Sequence, residues 1–332
     1  MLVGGFGTRL RPLTLTTPKP ILPVGHRPMI EGTVAQLAAH GVEEVVLSLG
    51  FRPDAFVDAF PDGRCAGLPL VYAVEPEPLD TAGAVRFAAE HGRVDDTFLV
   101  VNGDVVADVD IGALVAFHRL RGAEGTLHLT AVEDPSAFGV VATDEAGRVL
   151  AFVEKPRREE APSNLISAGT YVLEPSVLDR IPSGRRVSIE RETFPAMVAE
   201  GRLYAHHLPG YWLDTGTPAQ YLRANLDLCG GLRRQEAPPA LADGAVVEAG
   251  ATVEGSVLEP GARVAAGAQV RDALLLAGAV VEPDAVVADS IVGPDAVVGR
   301  GASLLDGCVI GAGQRIAPGL ELRGRRVPEP EG

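Results

Sequence analysis

Short apolar runs separated by polar, glycine- and proline-containing stretches fill the first two thirds of the chain. The runs that predict buried strands are 45–49, 71–74 and 98–101. The segments with helical patterns are 29–41, 83–91 and 111–121. Alternating helices and continuously apolar strands predict an α/β domain with a Rossmann-like, doubly wound, mostly parallel sheet. Ligands of such sheets bind beyond the carboxyl ends of the strands.

The last third has a different period. After a proline-containing linker at 233–240, apolar residues recur every 17 residues in three lines. The lines are Val247, Val264, Val281 and Val298; Val253, Val270, Val287 and Leu304; and Leu258, Leu275, Val292 and Val309. This is the hexapeptide-repeat pattern of a left-handed parallel β-helix, about four turns long. We therefore predict a catalytic α/β domain at 1–232, a β-helix at 241–322 and a C-terminal tail at 323–332.

Charge and cysteine content exclude several classes of partner. The net charge of −15 argues against nucleic acid and anionic membrane as partners. No apolar run approaches the roughly 20 residues of a membrane span. Cys65, Cys229 and Cys308 lie far apart without a C-x-x-C motif, so we expect reduced thiols in a cytoplasmic protein rather than disulfides or a zinc site.

A glycine-rich motif opens the chain. It reads Gly4-Gly5-Phe6-Gly7-Thr8-Arg9-Leu10-Arg11-Pro12-Leu13-Thr14, with Pro18-Lys19-Pro20 shortly after. Three glycines in four positions let successive backbone N–H groups form a concave anion site, and Arg9 and Lys19 add full charges. No Walker A lysine follows, and Leu10 stands where a dinucleotide fingerprint needs glycine. The pattern favours a triphosphate site over a simple strand-to-helix turn.

Lysine occurs at only two positions, Lys19 and Lys155, and every other basic residue is arginine. The compact ammonium of lysine acts as a point charge that the planar guanidinium does not replace. We therefore expect both lysines to meet phosphate groups.

The opening motif is similar to the signature of the sugar-nucleotide pyrophosphorylases, which join a nucleoside triphosphate to a sugar 1-phosphate. Further matching motifs are Glu75–Ala84, Asn102-Gly103-Asp104, Glu154-Lys155-Pro156, Ser167-Ala168-Gly169, Ser188–Pro195 and Tyr211–Pro218. The resemblance implies the nucleotide-diphospho-sugar transferase type of fold and nucleotidyl transfer with Mg²⁺. Two positions depart from the family: Asp80 stands where glycine is common, and Ser167 replaces asparagine.

The resemblance implies a role for each matching residue. The catalytic residues are Arg9, Lys19 and Asp104. The nucleotide-binding residues are Gly4, Gly5, Gly7, Thr8, Arg9, Leu79, Thr81, Ala82 and Gly83. The sugar-phosphate-binding residues are Gly139, Glu154, Lys155 and Ser167. The Mg²⁺ ligands are Asp104 and Asp214. Asp104 also follows four apolar residues that end a strand, a suitable place for a metal ligand, although an Asx turn would explain it too.

The ending Arg325–Pro330 resembles the C-terminus of the eukaryotic catalytic subunit of GDP-mannose pyrophosphorylase, which favours GTP and mannose 1-phosphate as substrates. One alternative is a glucose-1-phosphate thymidylyl- or uridylyltransferase. An alternative of another class is a catalytically silent regulatory subunit that senses nucleotide sugars.

All seven histidines precede the repeats, which disfavours a hexapeptide acyltransferase because those enzymes use a histidine base. We therefore expect the β-helix to brace the catalytic domain or to form a homo-oligomer. Only Met1-Leu2-Val3 precede the glycines, whereas strands usually have about five or six residues. We expect the native chain to begin upstream of Met1.

Overall fold

The computed structural model describes residues 1–50, 53–233 and 237–329. The chain forms two compact units: residues 1–5 with 30–212, and residues 6–29 with the chain from Leu213 onward. Most of the opening motif therefore belongs to the same unit as the repeat region. The linear boundaries expected from the sequence stay predictions.

Strands and helices alternate in the first unit. Its strands are β1 Val45–Leu49, β2 Arg64–Cys65, β3 Leu68–Val74, β4 Phe98–Val101, β5 Val105–Ala107, β6 Gly125–Ala131, β7 Gly139–Thr143, β8 Val149–Glu154, β9 Leu165–Leu173 and β10 Leu203–His207. Its helices are α1 Met29–Ala39, α2 Pro53–Ala59, α3 Asp80–Gly92, α4 Ile111–Arg121 and α5 Phe194–Ala199. The strands expected at 45–49 and 98–101 and the helix expected at 111–121 are confirmed.

Leu2 connects the strands at the centre of this unit, because it forms parallel bridges with Ser48, at β1, and with Asn102, after β4. Strand β1 is parallel to β3, and β10 is parallel to β6. The long strand β9 runs antiparallel to β4 and β6. The α/β class is confirmed, and the sheet is mixed around β9. Hydrophobic pattern reports burial of a strand and not its direction, so the sequence could not show this.

The core of the first unit lies between these strands and the helices beside them. Leu127 and Leu129 of β6, Val141 of β7 and Phe194 of α5 are all almost completely buried. Continuous burial on both faces explains why the strands read as unbroken apolar runs.

The second unit begins with an irregular segment, residues 6–29. It contains three short 3₁₀ turns, Thr8–Leu10, Leu13–Leu15 and Lys19–Ile21. The short strand β11, Trp212–Asp214, leads into this unit, and helix α6 spans Pro218–Cys229. Thr217 caps α6 by accepting a hydrogen bond from the backbone N–H of Gln220.

The repeat region is a parallel β-helix whose short strands form three sheets of five. The strands are β12 Val246–Val247, β13 Thr252–Glu254, β14 Val257–Leu258, β15 Arg263–Val264, β16 Gln269–Arg271, β17 Leu274–Leu275, β18 Val280–Val281, β19 Val286–Ala288, β20 Ile291–Val292, β21 Val297–Val298, β22 Ser303–Leu305, β23 Val309–Ile310, β24 Arg315–Ile316, β25 Glu321–Arg323 and β26 Arg326–Val327. The helix therefore has five turns rather than four, and its strands continue to Val327.

One position in the expected repeat lines is wrong. Val292 pairs with Ile310, 18 residues later, and not with Val309. The extra residue lies at the corner after β22, where Asp306 and Gly307 both have positive φ. Earlier corners need only one such residue, for example Asp289. A single inserted glycine thus shifts the register, which returns to 17 between Ile310 and Val327.

Parts of two expected segments lie outside the described residues: 234–236 of the linker and 330–332 of the tail. Cys65, Cys229 and Cys308 form no disulfide with one another. Among the helices of the described residues, none combines the length and apolar character that crossing a bilayer requires.

Candidate active site

The opening motif is built around Gly7. Its φ of 60° lies in the left-handed region, and a Cβ there would stand 2.9 Å from Cγ2 of Thr14. The Thr14 hydroxyl donates to the carbonyl of Gly7 at 2.8 Å, and the N–H of Leu10 donates to the same carbonyl at 2.9 Å. Both the backbone conformation and the close approach require glycine. The folded turn leaves Thr8 and Arg9 exposed.

Two cations and one carboxylate of the second unit form a cluster beside Gly216. The ammonium of Lys19 lies 3.6 Å from Oδ1 of Asp214. A Cβ on Gly216 would stand 2.8 Å from Nη2 of Arg9 and 2.8 Å from Oδ2 of Asp214. The absence of a side chain at Gly216 thus lets Arg9 and Asp214 approach each other there, while Lys19 pairs with Asp214. Arg9 and Lys19 bring two positive charges that suit a phosphate ligand.

In the first unit, three carboxylates surround the buried phenol of Tyr171. Burial raises the pKa of Tyr171, and the negative charges of Glu190, Glu154 and Asp104 raise it further. Asp104 follows β4 and is half-buried. The structure therefore brings two predicted residues, Asp104 and Glu154, into one electrostatic neighbourhood. The oxygen-rich surroundings suit hydroxyl groups of a sugar or a cation.

The sugar-phosphate residues occupy the end of the β7–β8 hairpin. Gly139 pairs with Glu154, and a Cβ on Gly139 would stand 2.5 Å from the ring of Phe152. The exposed ammonium of Lys155 lies 3.3 Å from Oε1 of Glu154. Lys155 has a φ of 50°, and non-glycine residues held in this left-handed region cluster at functional sites.

Ser167 lies on β9 with its hydroxyl buried, and an interaction of this hydroxyl with the phenol of Tyr171 opposes the rise in the pKa of Tyr171. The role of Ser167 in sugar binding stays a prediction. Nearby on the same strand, the carbonyl of Ala168 accepts a hydrogen bond from the indole N–H of Trp212 at 2.9 Å. Trp212 also packs edge-on against Phe138.

The start of helix α3 is tied to the segment before α5. The N–H groups of Ala82 and Gly83 donate to the carbonyl of Val187 at 2.9 and 3.3 Å. Thr81 donates from its hydroxyl to Oε2 of Glu190 at 2.7 Å. Leu79 is buried. These contacts give the segment a packing function, and the nucleotide-binding roles of Leu79, Thr81, Ala82 and Gly83 stay predictions.

The backbone explains the departure at Asp80. Its φ is 60°, a conformation that favours glycine and that aspartate tolerates better than most residues. The carboxylate accepts a hydrogen bond from the N–H of Thr81 at 2.8 Å and lies 3.7 Å from the guanidinium of Arg186. Asp80 is the first residue of α3, whose N-cap is Leu79.

Asp104 and Asp214 provide the hard oxygen donors that Mg²⁺ prefers. Among the described residues, no group of three or more histidine, cysteine, aspartate or glutamate side chains is placed to hold a metal ion. Sites that bind Mg²⁺ with a nucleotide use one or two carboxylates and take the remaining ligands from phosphates and water. The two aspartates fit that chemistry, and each lies in a different unit, so their joint use stays a prediction.

The predicted residues thus fall into two groups. Gly7, Thr8, Arg9, Lys19 and Asp214 lie in the second unit. Gly4, Gly5, Leu79, Thr81, Ala82, Gly83, Asp104, Gly139, Glu154, Lys155 and Ser167 lie in the first.

Sequence reasoning missed three residues of the site region. Gly216 and Glu190 lie inside the matched motifs, so the sequence indicated that these segments belong to the site. It could not show which residues Gly216 and Glu190 contact. Arg326 stood in the C-terminal motif, and its guanidinium donates to the carbonyls of Arg9 and Arg11. Only a folded chain shows a contact over so many residues.

Comparison with known protein families shows which class of protein this chain belongs to. The chain belongs to the nucleotidyl transferase family, which matches residues 1–230. Residues 237–330 match the GMPPB C-terminal domain family. The protein is therefore a nucleotidyltransferase with a C-terminal β-helix, as the sequence motifs predicted.

The chain is also similar to individual proteins with known names or solved structures. The chain is 45% identical over 259 residues to the mannose-1-phosphate guanylyltransferase of Mycobacterium tuberculosis, covering 76% of this chain and 71% of the relative. It is 45% identical over 246 residues to the mannose-1-phosphate guanyltransferase of Schizosaccharomyces pombe, covering 73% and 67%. A solved structure of a putative glucose-1-phosphate thymidylyltransferase from Bacillus anthracis superposes with a TM-score of 0.63 at 27% identity, covering 71% of this chain and 94% of that one.

Proposed function

We propose that this nucleotidyltransferase transfers a guanylyl group from GTP to mannose 1-phosphate, forming GDP-mannose and releasing pyrophosphate. The observation that carries the chemistry is the cluster around Asp214, in which Arg9 and Asp214 both approach Gly216 and Lys19 pairs with Asp214. The choice of substrates is supported by the relatives at 45% identity, which are named for that reaction.

In the reaction, an oxygen of mannose 1-phosphate attacks the α-phosphorus of GTP in line. The new phosphorus–oxygen bond forms as the bond from the α-phosphorus to its bridging oxygen breaks, and pyrophosphate leaves with the electron pair. The attacking phosphate is already anionic, so no protein nucleophile is required. The contribution of the chain is positioning and charge neutralisation.

Each group of residues has a part in this proposal. Arg9 and the backbone of 4–8 bind the triphosphate, and Lys19 neutralises the departing pyrophosphate. Lys155 holds the sugar phosphate, while Glu154, Gly139 and Ser167 contact the sugar. Asp104 and Asp214 would hold Mg²⁺, which when bound supplies charge neutralisation between the two phosphate groups.

A second candidate keeps the chemistry and changes the substrates. The match to the structure from Bacillus anthracis favours a glucose-1-phosphate thymidylyltransferase, although at 27% rather than 45% identity. A nucleotide-sugar sensor without catalysis is the candidate of another class. The intact set of charged residues, Arg9, Lys19, Asp104, Lys155 and Asp214, argues against it.

The test is pyrophosphate release with Mg²⁺, in which GTP, dTTP, UTP and ATP are each combined with mannose or glucose 1-phosphate. We expect the highest kcat/KM for GTP with mannose 1-phosphate, and a fall on the order of 10³-fold in Arg9→Ala. Preference for another pair would replace the substrates and keep the mechanism. No release from any pair by folded protein would favour the sensor.

We also propose that copies of the chain associate through the β-helix. Light scattering of the full chain at several concentrations tests this, and a monomer at all of them would contradict it.

A further inference from the structure

The last turn of the β-helix contacts the phosphate-binding segment directly. Nη1 of Arg326 donates to the carbonyl oxygen of Arg9 at 3.1 Å and to that of Arg11 at 3.2 Å. A hydrogen bond from an ionised donor is shorter and stronger than one between neutral groups. One guanidinium thus holds the backbone on both sides of Leu10.

Arg326 projects from a fixed element. It lies on β26 and pairs with Val309 of β23, and the next pair joins Val327 to Ile310. The N–H of Gly311 donates to the carbonyl of Val327 at 2.6 Å, which extends the pairing. The backbone at Arg326 is therefore held on the last rung of the sheet.

Packing brings the phosphate-binding segment onto this same rung. A Cβ on Gly311 would stand 3.1 Å from Cβ of Pro12 and 3.1 Å from the carbonyl oxygen of Val327. Leu10, between the two carbonyls that Arg326 contacts, is only 1% exposed. The turn that presents Arg9 thus has a buried side chain and a backbone held from outside.

The far end of the segment is held by the same unit. The N–H of Gly25 donates to Oδ1 of Asn225 at 3.1 Å, and the hydroxyl of Tyr221 donates to the carbonyl of Pro23 at 2.7 Å. His26 lies 3.1 Å from the carboxylate of Glu259, near the first turns of the β-helix. Arg9 and Lys19 lie between these two anchored ends.

We propose that Arg326 is a positioning residue for Arg9. By fixing the carbonyls of Arg9 and Arg11, it holds the turn so that the guanidinium of Arg9 stays over Gly216. The inference rests on the proposed function, in which Arg9 binds the triphosphate. It makes the β-helix a part of the substrate-binding machinery in addition to any role in assembly.

The test is a double-mutant cycle of Arg326→Ala and Arg9→Ala in the full chain. Displacement of a binding group by about 1 Å can cost on the order of 10²-fold in rate, so we expect Arg326→Ala to lower kcat/KM for GTP by about 10- to 100-fold. The KM for mannose 1-phosphate should stay the same. In the Arg9→Ala background, Arg326→Ala should have almost no further effect, because residues that act through one another are not additive.

Arg325→Ala is the matched control. Arg325 is exposed, and its guanidinium lies 3.4 Å from Oε1 of the exposed Glu329. Its substitution should leave kcat/KM within about twofold of wild type, since surface ion pairs contribute little. Thermal unfolding is measured for every variant, and Arg326→Lys replaces Arg326→Ala in the cycle if the alanine variant does not fold.

Two outcomes would overturn the inference: wild-type kcat/KM in Arg326→Ala, or an equal loss from Arg326→Ala with and without Arg9. Failure of the proposed function is recognised separately, from the wild-type protein. If wild type releases no pyrophosphate from any substrate pair, the same cycle is run on the dissociation constant for GTP with Mg²⁺, measured by calorimetry.

Discussion

Lys19 and Asp214 form an ion pair that joins the opening motif to the last strand before α6. The ammonium lies 3.6 Å from Oδ1, and the two side chains are only 8% and 17% exposed. A buried ammonium needs a counter-charge, since desolvation of an isolated ion is costly. The pair therefore fixes the position of one of the only two lysines in the chain.

Lys19→Met removes the charge and keeps a side chain of similar length. We expect kcat/KM for GTP to fall by about 10²- to 10³-fold, the range for loss of one preorganised electrostatic group. The free energy of unfolding should fall by about 3 kcal/mol, because Asp214 loses a nearby partner in a shielded site. Steady-state kinetics and urea unfolding measure the two effects.

Lys19→Arg is the control for this prediction. It keeps the charge, so most of the stability should return, whereas activity should stay low because the planar fork does not place a compact charge at the same point. Wild-type kinetics in Lys19→Met would contradict a role for the ammonium in catalysis.

Gly216→Ala tests the convergence of charged groups. The added Cβ would stand 2.8 Å from both Nη2 of Arg9 and Oδ2 of Asp214, so at least one of them must move. We expect a loss of about 10- to 100-fold in kcat/KM, as for other displaced binding groups.

Gly32→Ala is the matched substitution for Gly216→Ala. Gly32 lies in α1, and a Cβ there would meet no atom within 4 Å. It should raise the free energy of unfolding by about 0.5–1 kcal/mol and leave the kinetics unchanged. Full activity in Gly216→Ala would show that the crowding at this glycine does not matter for turnover.

Much of the fold was predictable because buried apolar residues recur at regular intervals in the sequence. The lines through Val264 and Val270 are confirmed in the pairing of the β-helix. The shift from Val309 to Ile310 was not predictable, because Gly307 inserts one residue at a corner where glycine is already common. The antiparallel direction of β9 could not be predicted either, because the spacing of apolar residues does not depend on the direction of a strand.

The motifs predicted the site residues, and the roles of these residues stay predictions. Lys19 and Asp214, which the motifs assign to different tasks, lie 3.6 Å apart. The family resemblance shows that glycine is common where Asp80 stands. The reason is visible only in the structure, where Asp80 has a positive φ that favours glycine. Arg326 acts on backbone carbonyls, which any sequence would offer, so nothing in the opening motif points to it.

The pair His26–Glu259 makes stability depend on pH. Both ring nitrogens of His26 face acceptors, Oε1 of Glu259 at 3.1 Å and the carbonyl of Pro239 at 2.7 Å, and both are satisfied only by the protonated ring. The hydrogen bond with Glu259 raises the pKa of His26 above 6.5, against the effect of burial. Its contribution is therefore fully present below pH 6.5 and is lost as pH rises through the raised pKa.

His26→Gln should accordingly lower the melting temperature more at pH 6 than at pH 9. Thermal unfolding of wild type and variant across this range measures the difference. His40→Gln serves as control, because His40 is an exposed residue just after α1. A difference between wild type and His26→Gln that does not change with pH would contradict the assignment.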